Sequence, residues 1–203
     1  MTLGSKSRSA LIIKSAKKLF TQYGFNKTSL GDIAKALNLT KASLYHYFSG
    51  KEDIFINVIR VEIKELFLKL LLIKNNISSV EDRFKKTIVA HLIEWRSFPL
   101  LKDLFAQPPR GQNALIAELR QEIIDKEADL IEEIFIEGQR EGHFDIANPK
   151  VLAQTVVASI RGIEMSSDFF DSKAAPNQFI DEFVRVMLKG ITSDKMVAVN
   201  GES

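Results

Sequence analysis

Apolar residues recur at intervals of three and four along nearly the whole chain. A clear set is Leu30, Ile33, Ala34 and Leu37, the spacing of one face of an α-helix. No stretch of useful length has the strict alternation of a strand. The pattern predicts an all-α fold. Its breaks at glycine, proline and capping residues predict nine helices, at about 8–23, 30–37, 41–48, 51–75, 80–97, a short one within 98–111, 112–141, 149–170 and 176–189.

Basic residues are concentrated in the first quarter of the chain. Residues 1–51 hold nine Lys or Arg and one acid, Asp32, for a net charge of +8, whereas residues 52–203 carry −6 and the whole chain +2. Such an asymmetry indicates a module that faces nucleic acid or a membrane, joined to a part with a different task.

Two short helices lie inside the basic segment, separated by the three-residue break 38–40 and preceded by a packing helix. This is the layout of a helix-turn-helix. Leu44 and Phe48 are predicted to pack inward and to leave polar side chains outside. Because the start of a recognition helix enters the major groove first, we expect bases to be read by the outward side chains, which are Lys41, Ala42, Ser43, Tyr45 and His46.

Capping residues precede the first helix of this pair and the long helix that follows the pair. Ser29 with Asp32, and Ser49 with Glu52, have the spacing of capping boxes. Lys51 stands where the next helix begins, and the unpaired N–H groups of that helix end favour a phosphate.

The run from Lys14 to Asp53 resembles the DNA-binding domain of the tetracycline-repressor (TetR) family of bacterial regulators. It contains, in order, A-x-x-L-F, G-F, T-S-L-x-D-I-A, K-A-S-L-Y-x-Y-F and K-E-D. The resemblance implies a nine-helix homodimer, paired through its last two helices at about 149–170 and 176–189. Helices one to three would bind DNA, and helices five to eight would enclose a ligand pocket. Phosphate contacts are implied for Thr28, Ser29, Tyr47 and Lys51.

These observations divide the chain into a DNA-binding domain at 1–51, a ligand-binding and dimerisation domain at 52–191, and a disordered tail at 192–203. We expect a transcriptional regulator, a repressor that leaves a palindromic operator in double-stranded DNA when a small molecule binds. Two alternatives stay open at this stage, a sequence-tolerant architectural DNA-binding protein and a helical small-molecule carrier or enzyme.

The pocket of such a regulator would be lined by aromatic and polar residues of the second half, and this predicts a lipophilic or aromatic effector. The candidates are His91, Trp95, Phe98, Phe105, Gln107, Met165 and Phe169. The alternative for each is ordinary core packing. Arg120 and Glu164 are possible polar partners, or else exposed helix charges, and the acids of 118–141 are expected mostly on an outward face.

Other chemistry has no support in the sequence. There is no cysteine, and His91 and His143 are too isolated for a metal site. Neither a nucleophile elbow, a phosphate-binding glycine loop nor a dinucleotide fingerprint is present, so we predict no catalytic residues and no cofactor. The longest apolar stretch, 66–73, is too short to span a membrane. We therefore expect a cytoplasmic protein with no membrane partner.

Overall fold

The structure, a computed structural model, describes residues 3–106, 114–165 and 176–193. These residues form nine helices, and the all-α prediction is confirmed. Within them the only β-type pairing is an isolated bridge between Phe144 and Thr192. The helices are α1 (Leu3–Tyr23), α2 (Leu30–Ala36), α3 (Lys41–Tyr45), α4 (Lys51–Asn75), α5 (Val80–Trp95), α6 (Pro99–Ala106), α7 (Ala114–Arg140), α8 (Pro149–Met165) and α9 (Pro176–Ile191).

Several predicted helix ends were wrong by a few residues. Helix α1 begins at Leu3 rather than near residue 8. Helix α3 ends at Tyr45 rather than at residue 48, because the N–H groups of Tyr47 and Phe48 both turn back to the carbonyl of Leu44. Helix α9 continues through Gly190 to Ile191.

One of the two predicted capping boxes is confirmed and the other has a different partner. The Ser29 side chain accepts from the N–H of Asp32, whose carboxylate accepts from the N–H of Ser29. Before α4, however, the N–H of Ser49 donates to Asp53 at 2.8 Å and not to Glu52. The reason is register, since α4 begins at Lys51 and its third residue, whose side chain reaches back, is therefore Asp53.

The chain divides into two compact units, of which the first comprises Met1–Glu65 with Phe98–Gln107. Its core contains the rings of Phe20, Phe25 and Phe55, with centroids 4.8–5.7 Å apart. Helix α1 ends at Tyr23, and the next residue, Gly24, has a φ of +81° that suits glycine and matches the predicted helix stop. Helix α6 belongs to this unit, and the buried Glu62 of α4 accepts the N–H of Leu101 in its first turn.

The second unit comprises Leu66–Ser97 with Pro108–Ser203. Helices α5, α7, α8 and α9 supply its apolar core, in which Phe84, Phe135 and Phe144 are buried. The turn after α7 packs so closely that a Cβ at Gly138 would lie 2.2 Å from the Phe144 ring, and glycine is required there. Within the described ranges, no helix combines the length and apolar character that a membrane crossing requires.

Candidate functional site

Helix α3 is held in place by its cap and by two buried side chains. The Thr40 hydroxyl oxygen accepts from the N–H of Ser43 at 3.1 Å and so caps the helix. Leu44 and Phe48 are 1% and 7% exposed and anchor one face in the core of the first unit. A five-residue helix is too short to be stable alone, so this cap and this anchor maintain its orientation.

The opposite face of α3 is open to solvent. Lys41, Ala42, Tyr45 and His46 are exposed, Tyr45 to 58%, and Ser43 is half-buried. The stem of Lys41 lies along α2, where a Cβ on Gly31 would come within 3.0 Å of its Cε. The five residues predicted to read bases therefore lie on α3 or, for His46, directly after it, and four of them are exposed.

The four residues implied in phosphate binding occupy different settings. The buried Thr28 hydroxyl donates to the carbonyl of Gly24 at 2.8 Å, and the Ser29 hydroxyl bonds Asp32, so both side chains stabilise the turn before α2. The hydrogen bonds that the hydroxyl and the N–H of Ser29 donate to the Asp32 carboxylate lower the pKa of Asp32. Tyr47 is half-buried. Their phosphate contacts stay predictions.

Lys51, the first residue of α4, stabilises the turn after α1. Its Nζ donates to the carbonyl of Phe25 at 3.0 Å and lies 4.2 Å from the centroid of the Phe25 ring. This cation–π contact and hydrogen bond fix the position of a positive charge at that turn. Contact between that charge and a phosphate also stays a prediction.

The second unit contains four buried ionisable side chains arranged as a closed ring of alternating charge. His91 Nε2 lies 3.1 Å from Glu127 Oε1, and its Nδ1 lies 3.1 Å from Glu164 Oε1. Arg161 completes the ring, donating from Nη1 to Glu164 at 2.7 Å and from Nη2 to Glu127. We call these four residues the buried ring. They join α5, α7 and α8, and each is at most 8% exposed.

Both cations of the buried ring lie against Trp95. Arg161 Cζ is 4.0 Å from the centroid of the indole, and the His91 ring stacks on it at 5.9 Å with an interplanar angle of 15°. The indole face therefore stabilises positive charge on the side of the ring that it covers.

The buried ring determines the charge of its histidine. Burial alone lowers the pKa of His91, but attraction to Glu127 and the hydrogen bonds to both carboxylates outweigh it and raise that pKa to about 9. Burial likewise favours a neutral Glu127, and His91 with Arg161 reverses this and lowers its pKa. With His91 protonated, the two positive and two negative charges cancel.

A cavity of about 10 Å³ lies beside the buried ring. His91, Glu127 and Thr87 supply its polar wall, and aliphatic side chains that include Leu130 and Val157 supply the rest. Among the described residues, the Thr87 hydroxyl and Glu127 Oε2 are buried polar atoms without a hydrogen-bond partner. The volume corresponds to about one water molecule.

Part of the first unit matches a known protein family in sequence. Residues 12–58 match the family described as bacterial regulatory proteins, tetR family. This part of the chain is therefore a tetR-family DNA-binding domain. The resemblance from Lys14 to Asp53 is thereby confirmed, and the matched range contains the capped α3 and every residue predicted to touch DNA.

Two bacterial regulators and one solved structure illustrate the similarity. The HTH-type transcriptional regulator YuxN of Bacillus subtilis is 31% identical over 96 residues, which are 46% of this chain and 33% of YuxN. The Staphylococcus aureus (strain Newman) negative regulator of the biofilm operon icaADBC, IcaR, is 48% identical over 44 residues, 22% of this chain and 24% of IcaR. The chain therefore matches a third or less of the length of these two relatives.

The similarity to the solved structure covers almost the whole chain. The crystal structure of a transcriptional regulator from Cytophaga hutchinsonii has a TM-score of 0.71 and 26% identity, and the match covers 91% of this chain and 98% of that one. The similarity of fold thus extends over both units.

The seven residues predicted to line a pocket are divided between the two units and the part of the chain outside the described residues. His91 lines the cavity and Trp95 packs on the buried ring, whereas Phe98 and Phe105 belong to the first unit. Met165 is 65% exposed. The remaining two, Gln107 and Phe169, lie outside the described residues.

Two expectations about charged residues were wrong. Glu164 is buried against His91 and Arg161, so its reading as an exposed helix charge is corrected. Glu127 departs from the outward face expected for the acids of α7, because it stands four residues after the buried Ile123 on the same apolar face. Arg120 is half-buried.

Two residues of the buried ring were not predicted as site residues, although the sequence contains a weak indication of each. Glu127 and Arg161 each interrupt an otherwise apolar helix face, and a charge in such a position indicates a buried partner. The sequence gives no indication of which partner. No group of three His, Cys, Asp or Glu suited to a metal ion occurs in the ranges the structure describes.

Proposed function

We propose that this tetR-family protein is a dimeric transcriptional repressor that binds a palindromic operator and is released from it by a small molecule. The observation that carries the proposal is the capped α3, anchored by Leu44 and Phe48, with its opposite face exposed inside the family's DNA-binding domain. Residues 1–51 would bind DNA, and residues 52–191 would bind the ligand and pair the subunits. The chain would act in the cytoplasm.

The exposed side chains of α3 have the chemistry that base reading needs. Lys41 can donate to the O6 and N7 atoms of guanine, Ala42 or the edge of Tyr45 can contact a thymine methyl group, and Ser43 and His46 can bond either donors or acceptors. Thr28, Ser29, Tyr47 and Lys51 would fix the register on the phosphates. The net charge of +8 on residues 1–51, against −6 elsewhere, favours this end as the docking surface.

Pairing of two copies is supported by apolar side chains on α8 and α9. Val151 on α8 is 54% exposed and Val186 on α9 is 55% exposed, and Met165 at the end of α8 is 65% exposed. Covering such side chains in a homodimer would remove apolar area from water. Two copies would place two α3 helices on half-sites with centres about 34 Å apart.

Repression is supported by the relative that is 48% identical over 44 residues, whose name describes a negative regulator. Release by a lipophilic or aromatic effector requires that the effector prefer a conformation that fits the operator poorly. Each tenfold loss of DNA affinity requires about 1.4 kcal/mol of such preference.

Selection of bound sites from random duplex DNA by the full chain tests this function. We expect an inverted repeat whose half-site centres lie about 10 base pairs apart. Recovery of DNA without a shared motif would instead support the architectural alternative. A carrier or enzyme would recover no DNA above the background of a bead control.

A further inference from the structure

We propose that the effector presents a hydrogen-bond donor, an ammonium or a hydroxyl group, to Thr87 and Glu127 beside the buried ring. This inference rests on the proposed function, and it specifies the chemistry of the small molecule that would release the protein from DNA. It concerns the polar end of that molecule, whereas the lipophilic part is the expectation set out above.

The atoms at the buried ring that are available to a ligand are hydrogen-bond acceptors. Glu127 Oε1 is shared by His91 and Arg161, and Glu164 Oε2 is held by Arg161. Among the described residues that line the cavity, the buried atoms without a hydrogen bond are Glu127 Oε2, the Thr87 hydroxyl and His91 Nδ1. His91 Nδ1 faces Glu164 Oε1 at 3.1 Å in an ion pair, which leaves the two oxygens for a ligand. A carboxylate oxygen is an acceptor only, and the hydroxyl oxygen can also accept, so a donor satisfies both.

The burial of these two atoms makes the missing bonds costly. Thr87 and Glu127 are each 2% exposed, and a buried acceptor without a partner loses its hydration and gains nothing in return. A donor placed between them would recover that loss. This is an interaction that an alkyl chain lacking a polar end cannot provide.

Charge excludes the opposite chemistry. With His91 protonated the buried ring is neutral as a whole, and both ring nitrogens of His91 face carboxylate oxygens, so the charged atom of the cavity lining that lacks a partner is Glu127 Oε2. An anionic ligand end would approach that carboxylate in an environment of low polarity, where repulsion between like charges is weakly screened. A carboxylate-ended lipid therefore binds less well than an amine or alcohol of equal length.

The size of the cavity explains how binding can be coupled to a change of conformation. Its volume of about 10 Å³ accommodates a group as small as a hydroxyl or ammonium, whereas a hydrocarbon tail does not fit among Leu70, Leu130 and Val157 as they stand. An effector enters only if these side chains and the helices that carry them move apart. It therefore binds another conformation better than this one, as regulation requires.

Three ten-carbon probes test the proposal on the full chain. Decylamine, protonated at neutral pH, and 1-decanol carry donors, and decanoate carries an anionic acceptor. Trp95 is the sole tryptophan of the sequence and packs on the buried ring, so its fluorescence reports binding directly. We expect both donors to change Trp95 fluorescence saturably, and decanoate to bind at least about tenfold more weakly.

Substitutions at the two acceptors separate the site from general binding of amphiphiles. Thr87→Val preserves shape, removes one acceptor and leaves the buried ring intact, and it should weaken both donor probes by about fivefold to tenfold. Glu127→Gln should weaken decylamine more than decanol, because only the amine loses a charge interaction. Glu118→Gln, on the exposed face of the same helix α7, is the matched control and should leave all three affinities unchanged.

The outcomes divide clearly. Preference for the donor probes together with weakening by Thr87→Val supports the proposal, even where Glu127→Gln fails to fold. Equal or tighter binding of decanoate, an unchanged affinity in Thr87→Val, or no saturable response to any probe overturns it. If the same preparation selects an inverted repeat from random DNA, such a result rejects the effector chemistry alone, whereas failure of that selection rejects the proposed function.

Discussion

At the scale of single residues, lysines in the first unit have the same charge but different surroundings. Lys41 is exposed on α3 and is proposed to read a base, whereas the Nζ of Lys51 contacts the carbonyl and the ring of Phe25. A base reader distinguishes sequences and a phosphate contact does not. Substitutions at the two positions should therefore have different consequences.

Lys41→Ala should cost about 1–3 kcal/mol on the selected operator and relax the preference at one base position. Lys51→Ala should weaken binding to all duplexes alike and reduce the magnitude of the salt slope by about 1. Titrations of operator and scrambled duplexes at several salt concentrations measure both effects. Lys86→Ala, on the exposed face of α5, is the control. Uniform weakening by Lys41→Ala would reject its role as a base reader.

His91 gives the molecule a defined dependence of stability on pH. Its pKa is raised to about 9 in the folded chain from an ordinary value of 6.5, so the folded state holds the proton more tightly. The stabilisation is fully present below about pH 6.5 and is lost as the pH rises through 9. It amounts to roughly 3 kcal/mol.

Urea unfolding between pH 6 and 10 measures this dependence. The wild-type chain should lose more stability across that interval than His91→Gln, by about the stabilisation just given. His46→Gln, at an exposed position on α3, should follow the wild type. Parallel profiles for wild type and His91→Gln would contradict a protonated histidine in the buried ring.

At the scale of elements, local signals were predictable and distant partners were not. Ser29 with Asp32 and Thr40 before α3 are caps whose bonds span three residues, and the sequence shows them directly. In the buried ring Glu127 contacts residues 34 and 36 positions away along the chain, and helical spacing does not specify which faces of α5, α7 and α8 meet. Glu127 and Arg161 were therefore identified only from the structure.

The association of α6 with the first unit depends on such a distant contact. Glu62 of α4 is fully buried, accepts the N–H of Leu101 at 3.2 Å and lies 3.6 Å from Lys17 Nζ. Burial raises the pKa of Glu62 despite the attraction of Lys17. An N–H group near the start of a helix needs an acceptor when it is buried.

Glu62→Ala should therefore destabilise the chain by about 1–3 kcal/mol, because the Leu101 N–H loses its acceptor. Glu62→Gln keeps an acceptor oxygen and should cost less. Glu65→Ala is the matched control, since Glu65 also pairs with Lys17 but is exposed to about half. Urea unfolding compares the three variants, and an equal loss for Ala at 62 and at 65 would contradict the capping role of Glu62.

At the scale of the whole molecule, the charge asymmetry and the exposed apolar side chains predict a paired protein with one docking surface. Sedimentation of the full chain at micromolar concentration should give a dimer. Val151→Glu on α8 and Val186→Glu on α9 should each shift it toward monomer, because a charge would be buried at the interface. Val61→Glu, at an exposed position on α4, is the control. A monomeric wild-type chain would contradict the two-half-site arrangement.

The central claim is that this chain recognises a specific palindrome through α3, and a single ratio tests it most directly. The measurement is the affinity of the full chain for its selected inverted repeat, divided by its affinity for a scrambled duplex of the same composition and length, at physiological salt. A sequence-specific regulator should give a ratio of about 10³ or more. A ratio near one, with the same salt dependence for both duplexes, would contradict it.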